Sequence, residues 1–188
     1  MALDMRAAKG LAFALVAWCQ FNEAAEAEQM IIEDFSEGAA GWRVITDQVM
    51  GGVSEGRAVL REQAGDTYLE LSGTVSTANN GGFVQARFDL TEALPETSSA
   101  LHLRVKGNAQ QYFIHLRQRG ASRPWHYYQA AFDAETDWQE ITMRFSDFRP
   151  SSDGLAPQIN PADVASIALA AYGRDHEALV ALSVVAVD

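Results

Sequence analysis

The chain has 188 residues, 48% of them hydrophobic, and a formal net charge of −11 at pH 7. This length and composition fit one globular domain with an ordinary hydrophobic core. Since nucleic-acid phosphates attract a basic surface, the acidic balance argues against a nucleic-acid partner.

Residues 1–27 have the pattern of a secretory signal peptide. Arg6 and Lys9 precede an apolar run over Leu11–Cys19, which is too short to cross a membrane. Ala25–Ala27 has the A-x-A form of a cleavage site. We therefore expect residues 1–27 to be cleaved and residues 28–188 to form a single periplasmic or secreted domain with no membrane span.

Two details of this segment leave an alternative open. Asp4 is atypical of a signal peptide, so an uncleaved membrane anchor or a misassigned start remains the alternative interpretation. Cys19 follows the bulky Trp18, which argues against a lipoprotein signal. Cleavage would remove the only cysteine, and the mature domain would then have neither a disulfide nor thiol chemistry.

Short strand-like runs separated by turn residues dominate the rest of the chain. Many short strands with regular turns are typical of an all-β sandwich or barrel. The best helical candidate is short, with Asn160 as N-cap and Pro161 at the first helical position. The predicted strands are Met30–Phe35, Trp42–Ile45, Arg57–Glu62, Thr67–Ser72, Phe83–Leu90, Ala100–Lys106, Gln111–Gln118, His126–Phe132, Trp138–Phe145, Val164–Ala171 and Leu179–Val187.

Two double-glycine loops interrupt the early strands. The first lies within Trp42–Ser54, after the strand-like residues that begin this stretch, and the second lies within Asn79–Phe83. Neither resembles a phosphate-binding loop, because strand-like residues rather than a helix follow each glycine pair. The simpler interpretation is two structural loops of a β-protein. The alternative is ligand contact, for which the first loop offers Asp47, Met50, Gly51, Gly52 and Ser54.

The middle strands alternate apolar residues with polar or aromatic ones, so each offers one outward face. The segment Thr97–Phe132 contains no Asp or Glu, although the chain is acidic. We expect Arg104 and Arg117 to project from the same face. This face is either a recognition surface for a ligand or partner or, in the plainer interpretation, a solvated sheet surface. The candidate ligand or partner contacts are Arg87, Arg104, His115, Arg117, Trp125, Tyr127 and Gln129.

Signals of catalysis are missing from the sequence. Histidines do not occur in pairs at metal-ligand spacing, and there is no G-x-S-x-G motif. The acidic turn Asp133–Asp137 offers three carboxylates for calcium, but a solvated turn is the more usual outcome. We predict no catalytic residue, no metal and no cofactor, and a hydrolase that uses Asp47 ranks last among the functions considered.

The order of several short motifs resembles the complex I intermediate-associated protein 30 family. These motifs are D-Q-V-M-G-G-V-S, N-N-G-G-F, L-H-L-R-V-K-G-N, Q-Y-F-I-H-L-R, W-H-Y-Y-Q-A-A-F and W-Q-E-I-T-M-R-F, and the resemblance runs from about Ile31 to the C-terminus. It implies a galactose-binding-like jelly-roll β-sandwich and a non-enzymatic, chaperone-like role in complex assembly. The family pattern covers Trp42, Asp47, Met50, Gly51, Gly52, Ser54, Gly81, Gly82, Phe83, Arg104, Gly107, Tyr112, Tyr128, Gln129 and Trp138.

Two functions remain open. The first is a protein-binding module that assists assembly of a membrane or envelope complex, with a respiratory or envelope complex subunit as its partner. An export signal would separate this chain from the matrix-equivalent compartment in which the mitochondrial members work. The second is a carbohydrate-binding module, because jelly-roll sandwiches often bind glycans. Trp125, Tyr127, Gln129 and Arg117 offer the aromatic and planar polar groups that glycan binding needs.

Overall fold

The computed structural model describes residues 29–188, which form a sandwich of two six-stranded antiparallel sheets. The predicted all-β class is confirmed, whereas the signal peptide predicted for residues 1–27 lies outside the described residues. Among residues 29–188, no helix is long and apolar enough to cross a membrane. The strands are β1 Met30–Glu33, β2 Trp42–Thr46, β3 Glu55–Gln63, β4 Asp66–Val75, β5 Phe83–Asp89, β6 Ala100–Gly107, β7 Gln110–Gln118, β8 Tyr128–Ala134, β9 Gln139–Arg144, β10 Arg149–Pro150, β11 Val164–Tyr172 and β12 His176–Val187.

All eleven predicted strands are present, with ends displaced by a few residues. The two-residue strand β10 was not predicted, since two residues carry no alternation. The helical prediction is confirmed as a single 3-10 turn over Pro161–Asp163, and the Asn160 side chain accepts a hydrogen bond from the Ala162 amide (3.0 Å). Further 3-10 turns cover Asp47–Met50, Ala78–Asn80 and Phe145–Asp147.

The strands divide between two sheets. Sheet A has the order β3-β4-β12-β6-β9, and β1 adds to β12. Sheet B has the order β10-β8-β7-β11-β5-β2. Consecutive strands such as β6 and β7 therefore belong to different sheets, which is typical of a jelly roll.

One hydrophobic core fills the space between the sheets. Sheet A contributes Leu71, Leu103 and Val105, and sheet B contributes Ile114 and Leu169, all of which are buried. Apolar residues at alternate positions point inward because successive strand side chains face opposite sides. The polar residues between them consequently form two outer faces, one on each sheet.

Two buried tyrosines tie loops to this core. The Tyr112 hydroxyl donates to Asn108 Oδ1 (2.6 Å) and accepts from the Leu179 amide (2.9 Å). The Tyr128 hydroxyl donates to the carbonyl of Ala156 (2.9 Å). Since a buried hydroxyl without a partner is costly, these bonds hold the connecting segments at fixed positions on the sandwich.

The expectation that Arg104 and Arg117 share a face is wrong. Arg104 lies on β6 in sheet A and Arg117 on β7 in sheet B, so the two project from opposite sides of the sandwich. The Arg104 guanidinium donates to Asp66 (3.1 Å) and lies 4.7 Å from the ring centroid of Trp138. It is therefore held by neighbours within sheet A, away from the other candidate contacts.

Candidate functional site

Most of the predicted contact residues meet on the outer face of sheet B. In the strand register, Arg87 pairs with Ala168, and Ala168 pairs with His115. His115 in turn pairs with Gln129. Residues paired in this way project from the same side, so Arg87, His115 and Gln129 form one row across β5, β11, β7 and β8.

The central strand β11 contributes only small side chains to this face. Ser166, Ala168 and Ala170 alternate along it and are all buried. Larger side chains project from β5 on one side and from β7 on the other, including Arg87 and His115. The outer face of sheet B thus has a low floor along β11 between two rows of long polar and aromatic groups.

An aromatic cluster occupies the middle of the face. His115 stacks on Tyr127 with ring centroids 4.4 Å apart and meets Tyr172 edge-on at 5.4 Å. Phe113 also packs edge-on against Tyr172 at 5.7 Å. Burial lowers the pKa of His115 to about 4, so its imidazole is neutral at neutral pH. Burial, followed by the neighbouring Tyr172, raises the pKa of Tyr127.

Polar atoms without a partner are concentrated on the same face. Seven buried polar side-chain atoms among residues 29–188 have no hydrogen-bond partner in the protein. Four of the seven belong to this face: Nε of Arg87, Nε2 of His115, Nε of Arg117 and Oε1 of Gln129. Unsatisfied buried polar groups are costly and uncommon, so their concentration here distinguishes this face from the rest of the described residues.

An open depression of about 380 Å³ lies at one end of this face. Four arginines from β2, β5, β7 and the following loop line it, and we call it the arginine pocket. The floor comes from Ala165 and Ser166 of β11. Its charged residues are Arg43, Arg87, Asp89, Arg117 and Arg119, and its other lining residues are Leu90, Gln118, Gly120 and Ala121.

Asp89 provides the one carboxylate among the residues that line the arginine pocket. Asp89 lies 2.5 Å from Arg43 and 3.7 Å from Arg87, which together hold the pKa of Asp89 below its usual value. Burial lowers the pKa of Arg87, and the positive charge of Arg43 lowers it further. Arg117 and Arg119 donate to main-chain carbonyls, at 3.1 Å and 2.8 Å, and no carboxylate in residues 29–188 forms an ion pair with either.

The first glycine loop is organised around Asp47, which is fully buried. One oxygen of its carboxylate accepts from the Ser54 amide (2.9 Å), and the other accepts from the amides of Gly82 (2.6 Å) and Phe83 (3.3 Å) and from the Ser54 hydroxyl. Burial raises the pKa of Asp47, but these hydrogen bonds outweigh burial and keep the pKa below its usual value. Asp47 and Ser54 therefore join two loops and are not accessible to a ligand.

The two glycines of that loop are favoured over other residues for two different structural reasons. Gly51 has φ of 93°, the left-handed conformation that ends the 3-10 turn, as glycine favours. Gly52 packs directly against the Asp47 side chain, where a Cβ atom would overlap the carboxylate. Met50 is exposed at the tip of the loop with Val49. This tip lies at the Thr46 end of β2, whereas the arginine pocket lies near the Trp42 end.

Trp125 is exposed on the loop between β7 and β8 rather than on the sheet itself. The guanidinium of Arg117 donates to the carbonyl of Arg123, and the Arg123 side chain lies 5.4 Å from the Trp125 ring. This loop also lines the arginine pocket through Gly120. Trp125 is therefore connected to the pocket through Arg117, although it does not line the pocket.

Sequence reasoning missed four residues of this face, namely Arg43, Asp89, Arg119 and Tyr172. The strand register places Arg43 directly opposite Arg87, and Tyr172 opposite Phe83. Alternation along β2 and β5 was a signal for the outward direction of Arg43 and Asp89. The pairing of these strands, which brings the residues together, was not available from alternation alone.

The described residues offer little for metal chemistry. In residues 29–188, no group of three or more His, Cys, Asp or Glu side chains is arranged to hold a metal ion. That statement covers the acidic turn Asp133–Asp137, in which the carbonyl of Asp133 accepts a hydrogen bond from Gln139 (2.6 Å). What the outer face of sheet B presents is hydrogen-bond donors, acceptors and aromatic rings.

Comparison with solved structures supports the jelly-roll sandwich. The family 11 carbohydrate-binding module from Clostridium thermocellum, in complex with a β-1,3-1,4-mixed-linked tetrasaccharide, matches with a TM-score of 0.71 and 15% identity, over 85% of this chain and 94% of the module. A family 30 carbohydrate-binding module of the Clostridium thermocellum cellulase Cel9D-Cel44B matches with a TM-score of 0.57 and 13% identity, over 79% and 91% of the two chains. An exo-β-agarase matches with a TM-score of 0.56 and 10% identity, over 84% of this chain and 25% of the agarase. At these identities the likeness establishes the fold alone.

Comparison with curated proteins found no match. A family model, by contrast, matches residues 33–183, which is most of the chain and nearly all of the described domain. The model is that of complex I intermediate-associated protein 30, the family indicated by the order of the sequence motifs. The chain therefore belongs to the complex I intermediate-associated protein 30 family.

Proposed function

We propose that this protein is a non-catalytic binding module that recognises a protein partner through the outer face of sheet B and assists assembly of a membrane or envelope complex. Membership of the complex I intermediate-associated protein 30 family supports the assembly role. The pattern of residues 1–27 supports export, so we place the partner in the periplasm or outside the cell.

The observation that carries the proposal is the row of Arg87, His115 and Gln129 on one face, with Tyr127 stacked on His115. The strand register and this stacking hold His115 and Gln129 in fixed positions. A surface whose polar and aromatic groups are already positioned loses little conformational freedom on binding. Tyrosine and arginine are also the residues that contribute most often to binding hot spots.

The outer face of sheet A provides the matched comparison. There the long cationic groups are paired: Arg104 with Asp66 and Trp138, and Lys106 with Gln63 at 2.9 Å and with the ring of Tyr68. Nε2 of His102 is the one buried polar atom of this face without a hydrogen-bond partner among residues 29–188. A surface whose groups are already paired has less to gain from a partner. Recognition through sheet B rather than sheet A is therefore the more favourable arrangement.

Crosslinking and affinity capture from native envelope membranes test the proposal. We expect Tyr127→Ala and Gln129→Ala to reduce capture of the partner, while Trp138→Ala and His102→Ala on sheet A leave it unchanged. Circular dichroism and thermal unfolding of each variant separate loss of binding from loss of fold. Equal capture by all four variants would contradict recognition through sheet B.

A second candidate function is carbohydrate binding. The combination of Tyr127, Tyr172, Gln129 and Arg87 on one face supports it, because glycans pack on aromatic rings and bond to planar polar groups. The likeness to a module solved with a tetrasaccharide is consistent with it. A glycan array with the domain, followed by Tyr127→Ala, separates the two functions. Saturable glycan binding that is lost in Tyr127→Ala would favour the glycan over the protein partner.

A further inference from the structure

The arginine pocket has an unusual charge for this protein. Four arginines and one aspartate line it, in a chain whose net charge is −11. Outside the pocket, two of the arginines in residues 29–188 pair with a carboxylate of their own, Arg61 with Glu70 and Arg104 with Asp66, each at 3.1 Å. Asp89 can neutralise only one of the four arginines, so the pocket keeps a local positive field.

The arginines crowd each other instead of separating. Arg87 is the central one: burial lowers its pKa most, the positive charges of Arg43 and Arg117 lower it further, and Asp89 opposes them. Its side chain is only 17% exposed, so water screens this repulsion less than at an open surface. Proteins usually separate like charges at such depth, and crowded guanidinium groups become favourable once an anion sits among them.

The pocket geometry indicates the kind of anion. A carboxylate has two oxygens, which a single guanidinium fork satisfies. A sulfate ester carries one negative charge, as a carboxylate does, and a phosphate monoester carries about two. Both have three free oxygens, which can accept from several guanidinium groups at once. The depression of about 380 Å³ is open to the rest of the face and has room for such a group attached to a larger molecule.

We propose that the arginine pocket formed by Arg43, Arg87, Arg117 and Arg119 binds a tetrahedral oxyanion, the sulfate or phosphate ester group of the ligand that the outer face of sheet B recognises. This inference rests on the proposed function, because it assigns a chemical group to the ligand of the same face. Neither Arg117 nor Arg119 forms an ion pair with a carboxylate of residues 29–188, and each donates from one amino group to a main-chain carbonyl. The rest of each guanidinium is assigned to the anion. Asp89 orients Arg43 and Arg87 from the side.

Titration of the folded domain with sodium sulfate and with inorganic phosphate tests this proposal. Sodium acetate and sodium chloride at matched ionic strength are the control ligands. We expect saturable amide NMR shifts at Ser166 and Gly120 with sulfate or phosphate, and no saturation with acetate or chloride. Comparing the two dissociation constants distinguishes a sulfate ester from a phosphate ester as the natural group. Identical responses to all four salts would overturn the proposal.

Substitutions inside and outside the arginine pocket show whether the oxyanion binds at this site. Arg87→Gln and Arg119→Gln should each weaken oxyanion binding by about tenfold or more, since each removes a charge-assisted donor. Arg61→Gln, which removes a paired arginine from sheet A, should change the dissociation constant by less than about twofold. Unchanged affinity in Arg87→Gln and Arg119→Gln, with both variants folded, would also overturn the proposal.

The experiments distinguish an incorrect anion assignment from an incorrect proposed function. If sulfate and phosphate do not bind but Tyr127→Ala still abolishes partner capture, the anion assignment is wrong and recognition through sheet B stands. If the oxyanions bind in the wild type but partner capture is insensitive to Tyr127→Ala and Gln129→Ala, the anion site stands and the proposed recognition surface is wrong.

Discussion

The Oδ2 atom of Asp47 accepts a hydrogen bond from the main-chain amide of Gly82, 35 residues further along the chain (2.6 Å). The same carboxylate bonds to the amide and hydroxyl of Ser54, so one buried side chain closes two loops. Hydrogen bonds to a charged acceptor are worth more than neutral ones, and leaving the donors unpaired is costly. Asp47 is thus a structural residue despite its place beside a glycine pair.

Removing the charge of Asp47 should destabilise the domain. Asp47→Asn replaces one acceptor oxygen with a donor group that faces other donors, and we expect a loss of at least about 2 kcal/mol in the free energy of unfolding. Asp66→Asn removes an exposed carboxylate from sheet A and should cost no more than about 1 kcal/mol. Chemical denaturation of both variants measures the difference, and equal midpoints would contradict the assignment.

The two glycines of the first loop should respond differently to alanine. Gly51→Ala forces a left-handed φ on alanine and should cost about 1 kcal/mol. Gly52→Ala places a Cβ atom on the Asp47 carboxylate and should cost more, because the buried side chain has to move. Gly154→Ala, at a glycine with room for a Cβ, is the control. Thermal unfolding gives the order, and a smaller effect at Gly52 than at Gly51 would contradict it.

Stability should depend on pH through His115. Its pKa is about 4 in the folded domain and 6.5 in the unfolded chain, so the unfolded state takes up the proton first as pH falls. The stability held above pH 6.5 is therefore lost progressively down to about pH 4. His115→Gln should flatten this part of the stability profile, whereas His102→Gln on sheet A should not. Denaturation midpoints measured across this pH range test the prediction. If the midpoint of His115→Gln changes with pH as steeply as that of the wild type, His115 is not the cause of the pH dependence.

Arg104 should be irrelevant to ligand recognition. It lies on sheet A, where it bonds to Asp66 and stacks on Trp138. Arg104→Lys should leave partner or oxyanion binding unchanged and cost about 1 kcal/mol or less in stability. Arg117→Lys, on sheet B, should weaken binding because lysine lacks the planar fork. Equal losses of affinity in both variants would mean that the two sheets do not act separately.

The signal peptide interpretation of residues 1–27 stays a prediction. If it is correct, intact-mass spectrometry of the native protein should give a mature N-terminus near Glu28. A chain that retains Met1 in the cytoplasmic fraction would contradict export and, with it, a periplasmic partner.

Alternation in the sequence was sufficient for eleven of the twelve strands and for the direction of the side chains on the middle strands. It could not show which strands pair. Arg104 and Arg117 lie on consecutive strands with the same pattern, yet the chain crosses from sheet A to sheet B between them. Inward and outward are local properties of a strand, whereas the sheet to which a strand belongs depends on contacts between distant segments.

The candidate site shows the same division. Arg87, His115, Arg117, Tyr127 and Gln129 were predicted as contacts from their outward positions, and the structure brings all five together. Asp47 and Ser54 were also predicted as contacts, but a short polar residue beside a glycine can equally bond to the main chain. Which of the two occurs depends on Gly82, a residue whose proximity the sequence does not reveal.

The position of β12 affects how this domain can fold as it is made. β12 lies in the centre of sheet A, where it pairs with β4, β6 and β1. Until β12 emerges from the ribosome, the β3–β4 and β6–β9 pairs have no strand to join them. Sheet A is then incomplete, and it does not cover its side of the core. Sheets that depend on such distant pairing form slowly. This domain would thus stay unfolded on the ribosome until β12, the last of its described strands in chain order, has been made.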